Sequence, residues 1–284
     1  MPEQRVDWSV ARPHPALRGL VARYIGYRQE NVPHGVHRGL PSRYLTLVIG
    51  LDAPIRITRM PRPEQAPAKL RAMVGGMHTG PALIAQEPVQ EGLHLEIEPL
   101  GARRLLGVGA AELTGYVVDL ADLGSPRLAE LPDRLASVTG WPHRFAILDE
   151  VFRAVLTDAP DPAPELDLAW RRMLGTGGLL RVGSLAAEVG WSRRHFGEIF
   201  RREVGLSPKQ AARVLRFERA GAVLRRHGRV DLAELAVHCG YYDQAHLSNE
   251  WRALAGCAPG TWIAEELPFL QDDEIGRERT WGHD

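Results

Sequence analysis

The chain has 284 residues, with 35 Lys and Arg against 35 Asp and Glu, and 44% of its residues are hydrophobic. These values are typical of a soluble protein with two ordinary domains, and the zero net charge argues against a protein that coats DNA nonspecifically. The first ten residues lack an apolar core, no apolar run is long enough to cross a bilayer, and Cys239 and Cys257 are the only cysteines, so we expect a cytoplasmic protein without signal peptide, membrane span or disulfides.

Residues 20–100 carry patterns typical of β-strands. The apolar run YLTLVIGL (44–51) and the alternating runs PIRIT (54–58) and LHLEIEP (93–99) are the clearest, and Pro and Gly lie between them. Several short strands separated by such turns predict a barrel or a sandwich.

From residue 101 the apolar residues repeat with a helical period. GARRLLGV predicts one short helix, and PHRFAILDEVFRAVLT (142–157) predicts a longer one with a single apolar stripe. The acidic, proline-rich DAPDPAP (158–164) predicts a linker, and residues 166–174 predict a further helix.

Two later segments are unequal copies of one pattern: LAAEVGWSRRHFGEIFRREVGLSP and LAVHCGYYDQAHLSNEWRALAGCAP. Matches from His195/His246 onward are 51 residues apart, whereas those up to Gly190/Gly240 are 50 apart. The second copy therefore has one extra residue in the turn just after its glycine. Nine matched positions, six of them 51 residues apart and three of them 50 apart, indicate an internal repeat.

Each copy predicts two helices joined by a short turn, which is a helix-turn-helix motif whose second helix enters the DNA major groove. The glycine permits a left-handed backbone, and Ser192 or Asp243 can cap the second helix. The predicted motif core consists of Leu185, Ala186, Gly190, Phe196 and Phe200 in the first copy and Leu235, Ala236, Gly240, Leu247 and Trp251 in the second.

Residues 208–228 predict one long helix between the copies, which Pro208 begins and Gly228 ends. A stiff helix would hold the two copies so that their second helices enter successive major grooves, roughly 34 Å apart, on one face of a duplex.

Positive charge is concentrated in this part of the chain. Residues 181–265 hold 13 Lys and Arg against 9 Asp and Glu, a net charge of +4, so the remainder carries −4. The first copy alone has four arginines that lie off the apolar stripe of its second helix and therefore face solvent or phosphate. This asymmetry predicts a polyanionic partner.

The two copies, the joining helix and the GLSP and GCAP endings resemble the DNA-binding domain of the AraC/XylS family of bacterial transcription regulators over residues 178–264. More loosely, LPSRYLTLVIG and PLGARRLLGV are similar to the sensing half of some members. The resemblance implies a cytoplasmic protein that binds promoter or operator DNA, often as a homodimer and often with a small-molecule effector, and that contacts RNA polymerase if it activates.

The resemblance also assigns DNA-facing positions by their place in the repeat: Ser192, Arg193, Arg194, Gly197, Glu198, Arg201 and Arg202 in the first copy, and Asp243, Gln244, Ala245, Ser248, Asn249 and Arg252 in the second. Arg can pair with guanine, and Gln or Asn with adenine. Glu198 departs from the family pattern, and it either accepts from cytosine or is a solvated neighbour of Arg201. Gly197 either permits close approach to DNA or has no role.

A cupin-like metal-dependent enzyme or metal sensor in the N-terminal domain, fused to a DNA-binding domain, is the alternative function. HGVH (34–37) and HLE (94–96) contain residue types that bind zinc or iron. However, the cupin spacing of histidines is not matched, His34 and His37 fall in a predicted loop, and no P-loop, GxSxG or GxGxxG motif occurs. We therefore expect no catalytic residue, metal or cofactor.

The predicted fold class is α+β with two domains. The first domain, residues 1–157, is mixed and β-rich and is expected to sense and to dimerise. A linker and connecting helix follow at residues 158–177. The all-α DNA-binding domain with both motifs covers residues 178–264, and an acidic tail covers residues 265–284. The tail is expected to be solvated, or alternatively to fold against a basic surface and weaken DNA binding.

Overall fold

The computed structural model describes residues 5–227 and 230–266, and within them the N-terminal half forms two antiparallel sheets. In chain order the strands are β1 (Arg5–Ala11), β2 (Val21–Glu30), β3 (Gly35–Gly39), β4 (Leu45–Gly50), β5 (Ile55–Arg59), β6 (Ala68–Leu70), β7 (Ala72–Gly75), β8 (Ala82–Gln86), β9 (Val89–Ile97) and β10 (Val117–Asp119). The larger sheet has the order β1-β2-β9-β4-β7-β10 and the smaller one β3-β8-β5-β6.

Helices follow the sheets and continue through the C-terminal half. They are α1 (Ala102–Leu106), α2 (Ala110–Leu113), α3 (Pro126–Ala129), α4 (Leu131–Ala136), α5 (Trp141–Val155), α6 (Pro164–Gly175), α7 (Val182–Glu188), α8 (Arg193–Val204), α9 (Pro208–His227), α10 (Leu232–His238), α11 (Gln244–Ala255) and α12 (Pro259–Glu265). Short 3-10 turns occupy Pro15–Leu17, Pro99–Gly101 and Leu120–Leu123.

The alternating sequence of β9 explains how the larger sheet buries one face. Leu93, Leu95 and Ile97 are fully buried and belong to the same apolar cluster as Leu148 and Phe152 of α5. Because successive side chains of a strand point to opposite faces, the polar residues between them face the smaller sheet.

A second, small apolar cluster lies between the two sheets. Val48 and Met73 of the larger sheet pack there with Ile57 and Ala82 of the smaller one. The N-terminal half is therefore a sandwich of two sheets whose larger member is covered on its outer face by helices, and the predicted α+β fold class is confirmed.

Four local predictions were wrong or incomplete. Strand β1 was not expected, and β10 falls in the region predicted to be helical, because Gly115 with φ of +75° returns the chain to pair with β7. The strand predicted over 93–99 is instead Val89–Ile97: its polar first residues pair with β2, and Pro99 begins a turn. His37 lies in a strand rather than a loop, because Gly35–Gly39 pairs with β8.

Helix α9 begins at Pro208, as expected, and its last described residue is His227. The predicted helix end at Gly228 and residues 267–284 of the predicted tail (265–284) lie outside the described residues. The first two residues of that tail are not solvated chain as expected: Glu265 belongs to α12 and Glu266 is buried. In residues 5–227 and 230–266, no helix is long and apolar enough to span a membrane.

Candidate nucleic-acid interface

The first motif, hereafter α7, residues 189–192 and α8, turns at a glycine and caps its second helix with a serine. Gly190 has φ of +72°, a left-handed conformation that glycine adopts without a steric penalty. The Ser192 hydroxyl oxygen accepts a hydrogen bond from the N–H of His195 at 3.2 Å. This bond satisfies one of the free N–H groups at the start of α8 and fixes where the helix begins.

Apolar contacts hold α8 in the C-terminal half by one face. Phe196 and Phe200 are fully buried with ring centroids 5.5 Å apart, and Phe200 meets Trp170 of α6 edge-on at 5.9 Å. Leu185 and Ala186 of α7, which packs against α8, are buried as well. The opposite face of α8 is left for solvent or a partner.

The second motif, hereafter α10, residues 239–243 and α11, repeats this construction. Gly240 has φ of +77°, and the Asp243 carboxylate caps α11 by accepting from the N–H of His246 at 2.7 Å. Its core residues Leu235, Ala236, Leu247 and Trp251 are buried.

The indole of Trp251 joins three helices. Its ring centroid lies 4.6 Å from that of Phe217 in α9 and 5.4 Å from that of Trp262 in α12. All three side chains are at most 2% exposed. The second motif is therefore packed between α9 and α12.

Backbone hydrogen bonds identify the extra residue of the second motif. The N–H of Trp191 donates to the Ala186 carbonyl at 2.9 Å, and the N–H of Tyr241 donates to the Ala236 carbonyl at 2.9 Å. Tyr241 thus occupies the place of Trp191, and the additional residue before the helix cap is Tyr242. The sequence located the difference in this turn but could not distinguish between the two tyrosines.

The outer surface of the first reading helix, α8, is basic. Arg193, Arg194, Arg201 and Arg202 are all exposed. A hydrogen-bonded ion pair joins Arg194 Nε to Glu198 Oε1 at 2.9 Å, so the neighbour of Glu198 is Arg194 rather than Arg201.

Gly197 lies on the same helix without a packing requirement. A Cβ atom built at Gly197 would meet no atom within 4 Å. Glycine lowers helix stability by up to ~1 kcal/mol relative to alanine, and no contact with residues 5–227 or 230–266 requires that cost. Close approach to DNA therefore stays a prediction for Gly197.

The outer surface of the second reading helix, α11, has little charge. Its DNA-facing candidates are Gln244, Ala245, Ser248, Asn249 and Arg252, of which Ser248 is half-buried and the others are exposed. Arg252 Nη1 donates to Asn249 Oδ1 at 3.1 Å. The positions of Arg193 and Arg194 in the first motif are occupied here by Gln244 and Ala245.

Helix α9 connects the two motifs through buried and paired side chains. Arg213 donates from Nε and Nη2 to the two carboxylate oxygens of Glu250 in α11 at 2.6 and 3.1 Å. A bidentate pair of this kind fixes both distance and orientation. Together with the Phe217–Trp251 contact, it fixes the second reading helix against α9.

The N-terminal half contacts the first motif by close packing. Helix α8 packs against α2 and against the 3-10 turn at Pro99–Gly101. At the end of α8, Gly205 has φ of +94°, and a Cβ atom there would collide with the Thr114 hydroxyl and the Ala110 carbonyl.

Ion pairs connect the N-terminal half to α9 and to the end of α12, the helix that packs against α11. Arg43 donates from its backbone N–H and from Nε to the two carboxylate oxygens of Glu218 in α9, both at 2.9 Å. Arg38 of β3 binds Glu265 at 2.8 Å and Glu266 at 2.9 Å, and His37 Nδ1 lies 3.2 Å from Glu266.

Three carboxyl groups at these contacts have shifted pKa values. Burial raises the pKa of Glu98 to about 7, against an opposing effect of Arg43, and burial likewise raises the pKa of Glu218. Burial alone would raise the pKa of Glu266, but its hydrogen bonds with His37 and Arg38 outweigh this and hold the pKa below its usual range.

The histidines of the N-terminal half lie in different environments. His37 pairs with Glu266, while burial lowers the pKa of His78 and of His94 to about 4, so both are neutral at pH 7. Within the described parts of the chain, no three His, Cys, Asp or Glu residues are grouped so that they could hold a metal ion.

Comparison with known proteins yields a family match over the C-terminal half. A family model described as a helix-turn-helix domain matches residues 185–265, which include both motifs from the end of α7 to α12. No curated protein sequence matches the chain.

Two exposed reading helices on one connecting helix, together with this match, define a DNA-binding protein of the helix-turn-helix class. This match agrees with the resemblance to the AraC/XylS family of transcription regulators that the two unequal copies carry.

Solved structures resemble the chain at low sequence identity. ToxT from Vibrio cholerae O395, bound to (E)-4-(8-methylnaphthalen-1-yl)but-3-enoic acid, is 9% identical over 94% of this chain and 99% of its own, with a TM-score of 0.50. The DNA-binding domain of AdpA in complex with a target DNA is 26% identical over 36% of this chain and 92% of its own, with a TM-score of 0.33. The ToxT likeness shows that the two-part fold is shared.

Proposed function

We propose that this regulator binds one promoter or operator site with both reading helices at once, through the DNA-facing residues that the repeat predicts. The observation that carries the proposal is the mounting of two equivalent exposed helix faces on the single helix α9. Helix α9 has 20 residues and is therefore ~30 Å long, similar to the ~34 Å between successive major grooves.

The outer surfaces of the two reading helices differ in charge, which supports different roles for them in DNA binding. Four exposed arginines on the first motif suit phosphate contacts and guanine readout, whereas the amides of Gln244 and Asn249 on the second suit adenine. Most of the salt-dependent affinity then comes from the first reading helix.

The N-terminal half is proposed to sense a small organic effector and to form the homodimer. ToxT, which shares the fold, binds an aryl-substituted butenoic acid. The contacts of Arg43 with Glu218 and of Arg38 with Glu266 supply a physical route by which a change in the N-terminal half would reach α9 and, through α12, the second motif.

The remaining parts of the proposal follow from the resemblance to the AraC/XylS family. The protein acts in the cytoplasm as a regulator rather than as an enzyme, and it contacts RNA polymerase if it activates transcription. Its sensing domain covers residues 1–157 and its DNA-binding domain residues 178–264, with the linker and connecting helix at 158–177.

Selection of binding sites from random double-stranded DNA with the full chain tests this function. We expect one enriched site with two base-specific half-sites, bound at least ~1000-fold more tightly than bulk genomic DNA. The Arg193→Ala/Arg194→Ala variant is the control and should lose the first half-site from its enriched sequence. An affinity ratio near one for the wild-type chain would contradict the proposal.

A further inference from the structure

The two motifs differ in the number of aromatic residues after the glycine: the first has one and the second has two. The Trp191 ring packs edge-on against His195 with centroids 4.9 Å apart, and the Tyr241 ring packs edge-on against His246 at 5.4 Å. Each motif thus has one aromatic ring that covers the first turn of its reading helix. Tyr242 has no counterpart in the first motif.

The backbone holds Tyr242 in place while its side chain projects outward. Its N–H donates to His246 Nδ1 at 3.2 Å, and its side chain is 89% exposed. The following cap residue Asp243 has φ of −155°, whereas Ser192 has φ of −64°, so a more extended backbone accommodates the additional residue. The backbone therefore places an exposed aromatic ring at the start of α11.

This position belongs to the part of the motif that meets DNA. The N-terminal residues of the second helix contact base edges in the major groove, and Tyr242 is separated from the first of them, Gln244, only by the cap. The DNA-facing candidates nearest to this end, Gln244 and Ala245, carry no charge where the first motif has two arginines. An aromatic ring can supply there an apolar contact, for example with the methyl group of thymine.

We propose that Tyr242 is a DNA-contacting residue of the second motif, and that its ring packs against a thymine methyl group at the second half-site. The inference rests on the proposed function, because it requires an operator that both reading helices bind. The extra residue of the second copy would thus make an apolar contact with DNA where the first copy uses the charge of its arginines.

The test compares the full-length wild type and Tyr242→Ala on the operator selected by the wild type, over a range of salt concentrations. We expect Tyr242→Ala to bind roughly fivefold to thirtyfold more weakly, with an unchanged slope of log K against log salt, because the lost contact releases no counterion. Arg194→Ala, the charged comparison in the first motif, should lower the magnitude of that slope by about 1 if it contacts a phosphate.

Two controls separate the ring from other causes. Tyr242→Phe should keep the affinity within about twofold, since only the hydroxyl is lost. Replacing the contacted thymine by uracil, which removes the methyl group, should weaken the wild type but not Tyr242→Ala. The thermal unfolding midpoints of both variants should equal that of the wild type, because the side chain is exposed.

Three results would overturn the proposal: equal affinity of Tyr242→Ala and wild type, an equal loss in Tyr242→Phe, or normal DNA binding with a loss confined to transcription activation. The last would place the ring on a protein partner. If the wild type itself selects no operator, the proposed function fails, and that outcome is distinct from these three.

Discussion

The two helix-turn-helix motifs share a backbone and a buried core but differ in what they present outward. Both have a left-handed glycine in the turn, a capped second helix and large buried aromatic side chains. The first exposes four arginines, whereas the second exposes one arginine, amides and a tyrosine. The comparison teaches that the core determines where each helix lies, while the outer positions determine what it binds.

The motifs also differ in how the N-terminal half holds them. The first is packed against α2 and the turn at Pro99–Gly101, next to Glu98, whose pKa is raised by burial to about 7. The second is held through α12, which packs against α11 and ends at Glu266, whose pKa is lowered by its bonds with His37 and Arg38. The two contacts should therefore respond to pH in opposite directions.

The largest expected effect is the loss of an aromatic core side chain. Trp251→Ala and Phe200→Ala should each lower the free energy of unfolding by about 3–5 kcal/mol, because both side chains are fully buried. Urea denaturation followed by circular dichroism measures this. Tyr242→Ala is the matched exposed aromatic control and should change stability little; a small effect of Trp251→Ala would mean that the second motif is not built on the same core as the first.

The next effect concerns the charge difference between the reading helices. Arg193→Gln/Arg194→Ala gives the first motif the residues of the second, and it should weaken operator binding by about 2–4 kcal/mol. It should lower the salt slope by about 2 if both arginines contact phosphates. The reverse change, Gln244→Arg/Ala245→Arg, should raise the slope, as measured by fluorescence anisotropy; slopes unaffected by either change would place both faces away from DNA.

The next largest expected effect is on the pH dependence of folding stability, which should differ between the contacts at Glu98 and at Glu266. Folding raises the Glu98 pKa from its usual value of 4.5 to about 7, so the folded state binds the proton more tightly and stability is lost as pH rises through this window. Glu98→Gln stays neutral and should therefore gain about 1–3 kcal/mol over the wild type at pH 8, and nothing at pH 4.

Glu266→Gln should behave in the opposite way. A lowered pKa gives stability above the unfolded value that is lost as pH falls, so this variant should be less stable than the wild type at pH 8 and should approach it in acid. Denaturation at both pH values is the measurement, with the exposed Glu130→Gln as control. The same sign of pH dependence in both variants would contradict the assignment of the two contacts.

The smallest expected effect is the release of Arg194. Glu198→Gln removes the partner of the Arg194 guanidinium and a negative charge from the surface that is predicted to face DNA, so it should strengthen operator binding by about 0.5–1 kcal/mol. Folding stability should change by less than ~0.5 kcal/mol, because exposed pairs one helical turn apart contribute little. Weaker binding of the variant would instead favour readout of cytosine by Glu198.

The motifs could be predicted from sequence because their determinants are local. Helix period, glycine turns and the caps Ser192 and Asp243 all act within a few residues. Because the pattern occurs twice, the prediction for each copy could be compared with the other. The sequence could not show which residue was extra, because both Tyr241 and Tyr242 fit the buried position.

Contacts between distant segments left no such pattern. Arg43 and Glu218 are 175 residues apart, and Arg38 and Glu266 are 228 apart, so no periodicity or motif connects them. The strand β10 was missed for the same reason: three residues are too few for a period, and pairing with β7 determines their conformation.

Joint binding of one duplex by both reading helices is tested most directly by changing the distance between the half-sites. The selected operator is compared with versions carrying 5 or 10 extra base pairs between its halves, all bound by the full chain. Because α9 cannot lengthen, both insertions should reduce affinity to that of the first half-site alone. Affinity that is unchanged by the insertions would show that a single α9 does not hold both helices on the same duplex.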